Sequence, residues 1–430
     1  MSAGARTHTV LQSLCPLDGT TRYVNPDFSQ TRSRMTQPST HSPLRRILFV
    51  IPSLHGGGAE FVARTWMGWL AAQSYDVSVV LTAGEVRPED LPDGVEAYSL
   101  AGQRGQVRKA DALRRRLIDT QPDVALSLQA HPNLLLLTSA RLLPARQRPR
   151  VLVSERNLVS LGLPGSSLAH RVKIWFARRL YRWADHVIAI SHPVAAEMVA
   201  AFGVRGDRIT VIPNPATAKV RGTPLGRGTA AVRAQIGGEP GEADAVAGQP
   251  SRLPGSANGI QIVLACRLVA QKRPLLAIAA AAELARRGIA VEVVSFGGGP
   301  LLGEVQAAAR QENVVFHHRG WVENWFDHIG DNAVTLLPSS REGFGNVLVE
   351  AAAAGYPAVA VSGALGVADA IVPGITGELA LSEDPADLAD ALLRAADLTL
   401  DNIEPWLARF SVEASGADLA RVLARVVERA

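Results

Sequence analysis

One rhythm runs through this chain and excludes most folds: a short, largely apolar run, a turn, then a segment of helical period. Arg45–Ser53 passes through His55-Gly56-Gly57-Gly58-Ala59-Glu60 into a helix that ends near Gln73. Val77–Leu81 and Val95–Leu100 follow, then a basic helix near Val107–Asp119, the run Val124–Leu128, an apolar segment over Leu134–Leu143, the run Arg150–Ser154, a helix over Leu168–Trp183 and the run His186–Ser191. The rhythm resumes with Ile260–Ala265, a helix from Pro274 to about Arg287, then Val291–Phe296, Val314–Phe316, Ala333–Pro338, a helix over Asn346–Ala354, and Pro357–Val361. Strands apolar on both faces, alternating with helices, belong to parallel sheets covered on both sides. Ligands of such sheets sit beyond the carboxyl ends of the strands, where the strand order switches.

The break between the two series divides the chain. At 430 residues it exceeds what one core usually covers, so two domains are expected. We assign residues 1–43, Ser/Thr/Gln/Pro-rich towards their end, to a disordered extension in which Met35 is an alternative start. Residues 44–215 form a first domain, 216–259 a Gly/Ala/Pro-rich linker, 260–400 a second domain, and 401–430 the closing helices. No run approaches the roughly 18 apolar residues of a membrane span. Cys15 and Cys266 are too few for a disulfide framework, and no Cys/His spacing suggests a metal site, so a reducing cytoplasm is expected. The net charge of +4 hides an asymmetry: residues 44–215 carry 22 Lys/Arg against 14 Asp/Glu, whereas 216–430 carry 18 against 24. A basic first half suits an acidic partner such as an anionic membrane surface or a phosphate-bearing acceptor, though a solvated basic face needs no partner.

Chemistry-bearing residues gather at strand ends. Glu342 sits on the turn after Ala333–Pro338, and Glu350 lies inside the next helix. Neither the flanking strands nor the alanine-rich helix offers a cation, so both acids are expected to need hydroxyl or amide partners. Gly343 and Gly345 expose backbone N–H groups at a helix N-terminus, a site for an anion, while a carboxylate one turn along suits a vicinal diol. That combination fits a sugar nucleotide. Arg267 and Lys272, on another strand-to-helix connection, are placed to clamp a diphosphate. Further polar groups end strands at Gln129-Ala130-His131, with His131 expected on a loop before Pro132, at Ser154-Glu155-Arg156-Asn157, and at Pro213-Asn214-Pro215. Two helices concentrate positive charge. Leu168–Trp183 interleaves Arg171, Lys173, Arg178, Arg179 and Arg182 with Trp175, Phe176 and Trp183, a pattern more often found on a core helix with snorkelling arginines than at a membrane interface. Arg104, Arg108, Lys109 and Arg114–Arg116 have fewer apolar neighbours and are the preferred membrane-surface cluster.

Glu342 and Glu350, with seven residues between them in Ser339-Ser340-Arg341-Glu342-Gly343-Phe344-Gly345-Asn346-Val347-Leu348-Val349-Glu350-Ala351, resemble the signature of the fourth family of glycosyltransferases. The resemblance covers most of residues 45–428. It implies an α/β GT-B fold, two Rossmann-like parallel-sheet domains facing a cleft, with the acceptor on the first, the nucleotide sugar on the second, and a C-terminal helix crossing back. It implies a retaining transfer of a hexose or N-acetylhexosamine from a UDP- or GDP-sugar to a glycan or lipid-linked acceptor, in cell-surface polysaccharide or glycolipid assembly. Residue by residue, Glu342 and His131 would be catalytic, and Arg267, Lys272, Gly57 and Gly58 would hold the donor diphosphate. The backbone of Gly343, Phe344, Gly345 and Asn346 would meet sugar and phosphate, Glu350 the ribose, and Trp321 and Val322 the nucleobase. Glu155, Arg156 and Asn157 resemble residues of members that build surface polysaccharides and would face the acceptor. No cofactor, metal or nucleic acid is implied, and the location expected is cytoplasmic, peripheral to the inner face of the plasma membrane. The chain departs from the family's pattern at Cys266, where glycine is usual, and at Asp369, where glutamate is usual. A nucleotide-sugar epimerase or hydrolase of the same architecture, or a non-catalytic nucleotide-sugar-binding subunit, is the alternative.

Overall fold

The computed structural model describes residues 44–160, 167–220 and 259–428. The N-terminal extension with Cys15 and Met35, and most of the expected linker, lie outside the described residues.

The first series of runs becomes a seven-stranded sheet: β1 (Arg46–Ile51), β2 (Asp76–Leu81), β3 (Val95–Ser99), β4 (Val124–Leu128), β5 (Arg150–Glu155), β6 (His186–Ala189) and β7 (Ile209–Val211). The second becomes a six-stranded sheet: β8 (Ile260–Ala265), β9 (Val291–Phe296), β10 (Val315–His318), β11 (Ala333–Leu337), β12 (Ala358–Val361) and β13 (Gly377–Ala380). Their orders are β3-β2-β1-β4-β5-β6-β7 and β10-β9-β8-β11-β12-β13, with every pairing parallel. β4, β6, β11 and β12 are buried at every residue, as strands covered on both faces must be. β7 and β13, three and four residues long and partly exposed, are additions to the strands expected from sequence.

In each sheet the order reverses once, between β1 and β4 and between β8 and β11. The loops leaving those four strands therefore open onto a crevice, and they carry the glycine turn, His131, the Arg267/Lys272 pair and Glu342. Helices line these loops: α1 (Gly58–Ala72) follows β1, α2 (Gln106–Thr120) follows β3, and α3 (Ala130–Arg141) follows β4. His131 thus lies in the first turn of α3 rather than on the loop expected for it, because Pro132 is tolerated in a first turn, whose N–H groups have no intrahelical partner. Further helices are α4 (Leu168–Leu180), α5 (His192–Ala200), α6 (Pro274–Arg286), α7 (Leu302–Gln311), α8 (Asn346–Ala353), α9 (Pro385–Ala396), α10 (Glu404–Leu407) and α11 (Val412–Glu428).

α11 packs back on the first sheet's side of the molecule. Its Leu419, Val422, Leu423 and Val426 join Val62, Trp66, Met67 and Leu70 of α1 in one core. Gly416 makes the crossing close: a Cβ there would lie 2.3 Å from Cδ2 of Trp69. Trp66 Nε1 donates to Ser415 Oγ at 2.9 Å, and that hydroxyl donates to the Pro213 carbonyl at 3.0 Å, so these buried polar groups are satisfied. A separate apolar cluster joins the halves directly, with Ile190, Val194 and Ala216 against Phe344, Leu348 and Phe410. Residues Ala216–Lys219, expected to open the linker, form a packed 3₁₀ turn instead. Among the described residues no helix is long and apolar enough to cross a membrane.

Candidate active site

Glu342 follows β11 and is 8% exposed. Its Oε1 accepts a hydrogen bond from Lys272 Nζ, whose turn follows β8, and its backbone N–H donates to the Ala364 carbonyl at 3.0 Å. Arg267, on the same connection after β8, is exposed, and it acts electrostatically on Cys266 together with this pair. Cys266 keeps an uncharged thiol, pushed up to about 11 by burial, with Glu342 adding to the shift and the Lys272 and Arg267 charges opposing it. Arg273, in a left-handed conformation at φ +47°, fixes the loop: its guanidinium donates to the carbonyls of Pro338 at 2.9 Å and Ser339 at 2.8 Å. Sequence reasoning passed over Arg273, whose only signal was its place between Lys272 and a helix-opening proline.

Glu350, inside α8, is 5% exposed and doubly held, by Lys219 Nζ on Oε1 at 2.9 Å and by Trp325 Nε1 donating to Oε2 at 3.3 Å. The expectation that both acids lack a cation is therefore corrected. Each has an ammonium partner, delivered by turns distant in sequence, 70 residues away for Lys272 and 131 for Lys219. A buried carboxylate without such a partner would be strongly disfavoured.

The first half meets this site along two loops. A Cβ on Gly343 would lie 2.1 Å from the Arg156 carbonyl oxygen, so only glycine lets the loop after β11 touch the loop after β5. A Cβ on Gly58 would lie 3.6 Å from Asn346 Nδ2, so the first residues of α1 and α8 are close neighbours. Asn214 Nδ2 donates to Asn346 Oδ1 at 2.6 Å, and Gln129 Nε2 donates to Glu60 Oε1 at 3.0 Å. Gly57, Gly58, Gly343, Gly345 and Asn346 are thus brought together, while the Phe344 side chain turns into the core, its ring centre 5.5 Å from that of Phe410. His131 is half-buried, and burial together with the Lys173 and Lys109 charges holds its pKa below the ordinary histidine value. Trp321 is 79% exposed on the loop after β10, next to partly buried Val322.

The three acceptor-side candidates separate. Glu155 is buried in a network in which Tyr181 donates from its hydroxyl to Oε2 at 2.8 Å, and Asn133 Nδ2 donates to the Tyr181 oxygen at 2.9 Å. Burial raises the Glu155 pKa to about 7. Arg156 stacks its guanidinium 4.8 Å above the Trp66 ring, has no hydrogen-bond partner for its guanidinium nitrogens among the described residues, and is brought down to about 9 by burial. Asn157 alone of the three is exposed. Its neighbours were expected beside it because a strand end is polar in sequence whichever way its side chains turn.

Two family profiles match in succession, Glycosyltransferase Family 4 over residues 56–218 and Glycosyl transferases group 1 over residues 259–397. The chain belongs to the family 4 glycosyltransferases. Within that family it is similar to the D-inositol 3-phosphate glycosyltransferase of Nocardia farcinica, 31% identical over 220 residues that make up 49% of this chain and 44% of the relative. The curated relatives it matches are covered over 30% to 57% of their own length. Its GT-B fold is shared with the sucrose-phosphate synthase of Thermosynechococcus elongatus (TM-score 0.68, 16% identity, 90% of this chain and 100% of the other). It is also shared with the lipopolysaccharide outer core galactosyltransferase WaaB (TM-score 0.61, 18% identity, 88% and 98%). The two family profiles fall one on each sheet and include the glycine turn after β1 and the ends of β4, β8 and β11.

Proposed function

We propose that this chain transfers a hexose or N-acetylhexosamine from a UDP- or GDP-sugar to a glycan or lipid-linked acceptor, with retention at the anomeric carbon. The observation that carries the reading is the Lys272–Glu342 pair, with Arg267 exposed on the same strand-to-helix connection as Lys272, set at the switch point of the second parallel sheet. As the anomeric C–O bond to the diphosphate breaks, negative charge grows on the leaving group. Lys272, Arg267 and the N-termini of α1 and α8 are placed to stabilise it, so the step as proposed draws on no metal. Donor binding gives Lys272 a second anionic partner and loosens its hold on Glu342, which is then free to stabilise positive charge at the reacting sugar. His131, neutral at pH 7, contacts the sugar without adding a charge. The ribose approaches Glu350 alongside Lys219, and Trp321 stacks on the base. Similarity to a transferase named for an inositol phosphate acceptor and to a lipopolysaccharide galactosyltransferase supports a phosphate-bearing or lipid-linked acceptor. The cell compartment that fits is the cytoplasm, at the inner membrane face.

The test is a transfer assay over a panel of nucleotide-diphosphate sugars, with products resolved as glycoside, free sugar or epimer. Lys272→Ala or Arg267→Ala should lower turnover by roughly a hundredfold or more, the scale of one preorganised electrostatic contact. Full activity in Lys272→Ala, or release of free sugar or an epimer in place of a glycoside, overturns the reading.

A further inference from the structure

α4 is an amphipathic helix facing the wrong way for a core element. Only Ile174 and Ala177 of its thirteen residues are buried. Leu168 is 77% exposed, Val172 45%, Trp175 53% and Phe176 47%, and Trp183, just past the helix, is 46% exposed. These positions recur at intervals of three, four and seven residues, which places them on one outward stripe. Arg171, Arg178, Arg179 and Arg182 are exposed around it, and residues 168–183 contain no Asp or Glu. Trp175 and Phe176 meet edge to face with ring centres 5.0 Å apart, Arg179 lies 5.1 Å over the Trp175 ring, and Arg141 lies 4.8 Å over Trp183. The sheet is covered without this stripe, because Ile174, Ala177 and Tyr181 already join the core shared with α3. The core-helix reading of this segment thus holds for Ile174, Ala177 and Tyr181 but not for Trp175, Phe176 and Trp183.

The basic cluster on α2, preferred from sequence, is a poorer candidate. Its Arg114 and Arg115 both bind Asp111, Arg116 stacks 3.7 Å over Tyr98, and Lys109 Nζ donates to the Thr82 carbonyl at 2.6 Å. Val107 is its only strongly exposed apolar residue among those described.

We propose that the outward stripe of α4 lies in the interface of an anionic lipid leaflet, with its arginines on the headgroups and Leu168, Val172, Trp175, Phe176 and Trp183 among the upper acyl chains. Aromatic and aliphatic side chains bordered by arginines that have no acid partner among the described residues match the chemistry of such a surface. The helix also borders the crevice. Lys173 acts electrostatically on His131 and Arg341, next to Glu342, acts on His170, so the opening of the site would lie at headgroup level. This rests on the lipid-linked form of the acceptor proposed above.

The experiment is flotation of the full chain with phosphatidylcholine vesicles, with and without phosphatidylglycerol, at low and high salt. The wild type should be recovered with the anionic vesicles at low salt and released at high salt. Trp175→Ser/Phe176→Ser and, separately, Arg178→Gln/Arg179→Gln should each weaken recovery by about tenfold or more, while Arg114→Gln/Arg115→Gln/Arg116→Gln should float as the wild type does. The substituted α4 side chains and Arg115 are exposed, Arg114 and Arg116 are half-buried, and thermal melting checks that each variant folds. Wild-type recovery of the α4 variants, loss of recovery in the α2 variant, equal recovery with neutral vesicles, or no recovery of the wild type overturns the proposal. Flotation needs no turnover, and UDP or GDP binding measured on the same samples reports separately on the donor reading.

Discussion

Glu155 shows how a single buried group sets a pH dependence. Its carboxyl is held at about 7 in the folded chain by burial, against an ordinary value of 4.5. The folded state therefore binds this proton more tightly than the unfolded one, so the stability it contributes is present below about 4.5 and is lost as pH rises through about 7. Denaturant unfolding at pH 5 and pH 8 should show the wild type losing more stability across that interval than Glu155→Gln, which keeps an acceptor for Tyr181 without the titration. Parallel losses in the two proteins would refute the assignment. At this scale the sequence was informative about anionic and cationic residues at strand ends and silent about their partners. Glu342 and Glu350 stand out by their spacing on a turn and helix, whereas Lys219 and Trp325 are ordinary residues that become functional neighbours only through folding.

Among the elements, α11 and α1 illustrate a contact whose fit depends on one missing side chain. Gly416→Val should cost about 1–3 kcal/mol, because the added atoms meet the rigid Trp69 ring rather than a side chain that can swing aside. Chemical denaturation measures this directly, and a wild-type midpoint would show that the helix shifts at no cost. The long elements were readable because they carry enough apolar residues to declare a pattern: β1, β4, β8, β9 and β11 coincide with apolar-rich runs broken by at most two polar residues each. β7 and β13 were not, since three or four partly exposed residues at a sheet's edge carry too little pattern. The orientation of α4 was unreadable for a different reason, namely that amphipathic periodicity fixes that a helix has two faces but not which one meets the sheet.

For the molecule as a whole, the ties between halves are polar as well as apolar. Lys219 reaches Glu350 from the turn after β7, so the pair belongs to neither half alone. Lys219→Ala should lower stability by about 1–2 kcal/mol, discounted from a fully buried pair because the lysine is partly exposed. Glu350→Gln added to it should recover part of that loss by removing the stranded charge, and strictly additive losses in the double variant would rule the coupling out. The Rossmann-like halves and their facing strand ends followed from the alternating pattern, but their points of contact, Gly343 on Arg156 and Asn214 on Asn346, required coordinates. The return of α11 to α1 has a consequence during synthesis on the ribosome. Val62, Trp66, Met67 and Leu70 are made well before residues 415–426 that pack on them, with 349 residues separating Trp66 from Ser415. At about 5–20 residues per second that is an interval of tens of seconds. Through that time the nascent first half displays an apolar helix face with no cover, a natural site for a chaperone to hold until the last helix is released.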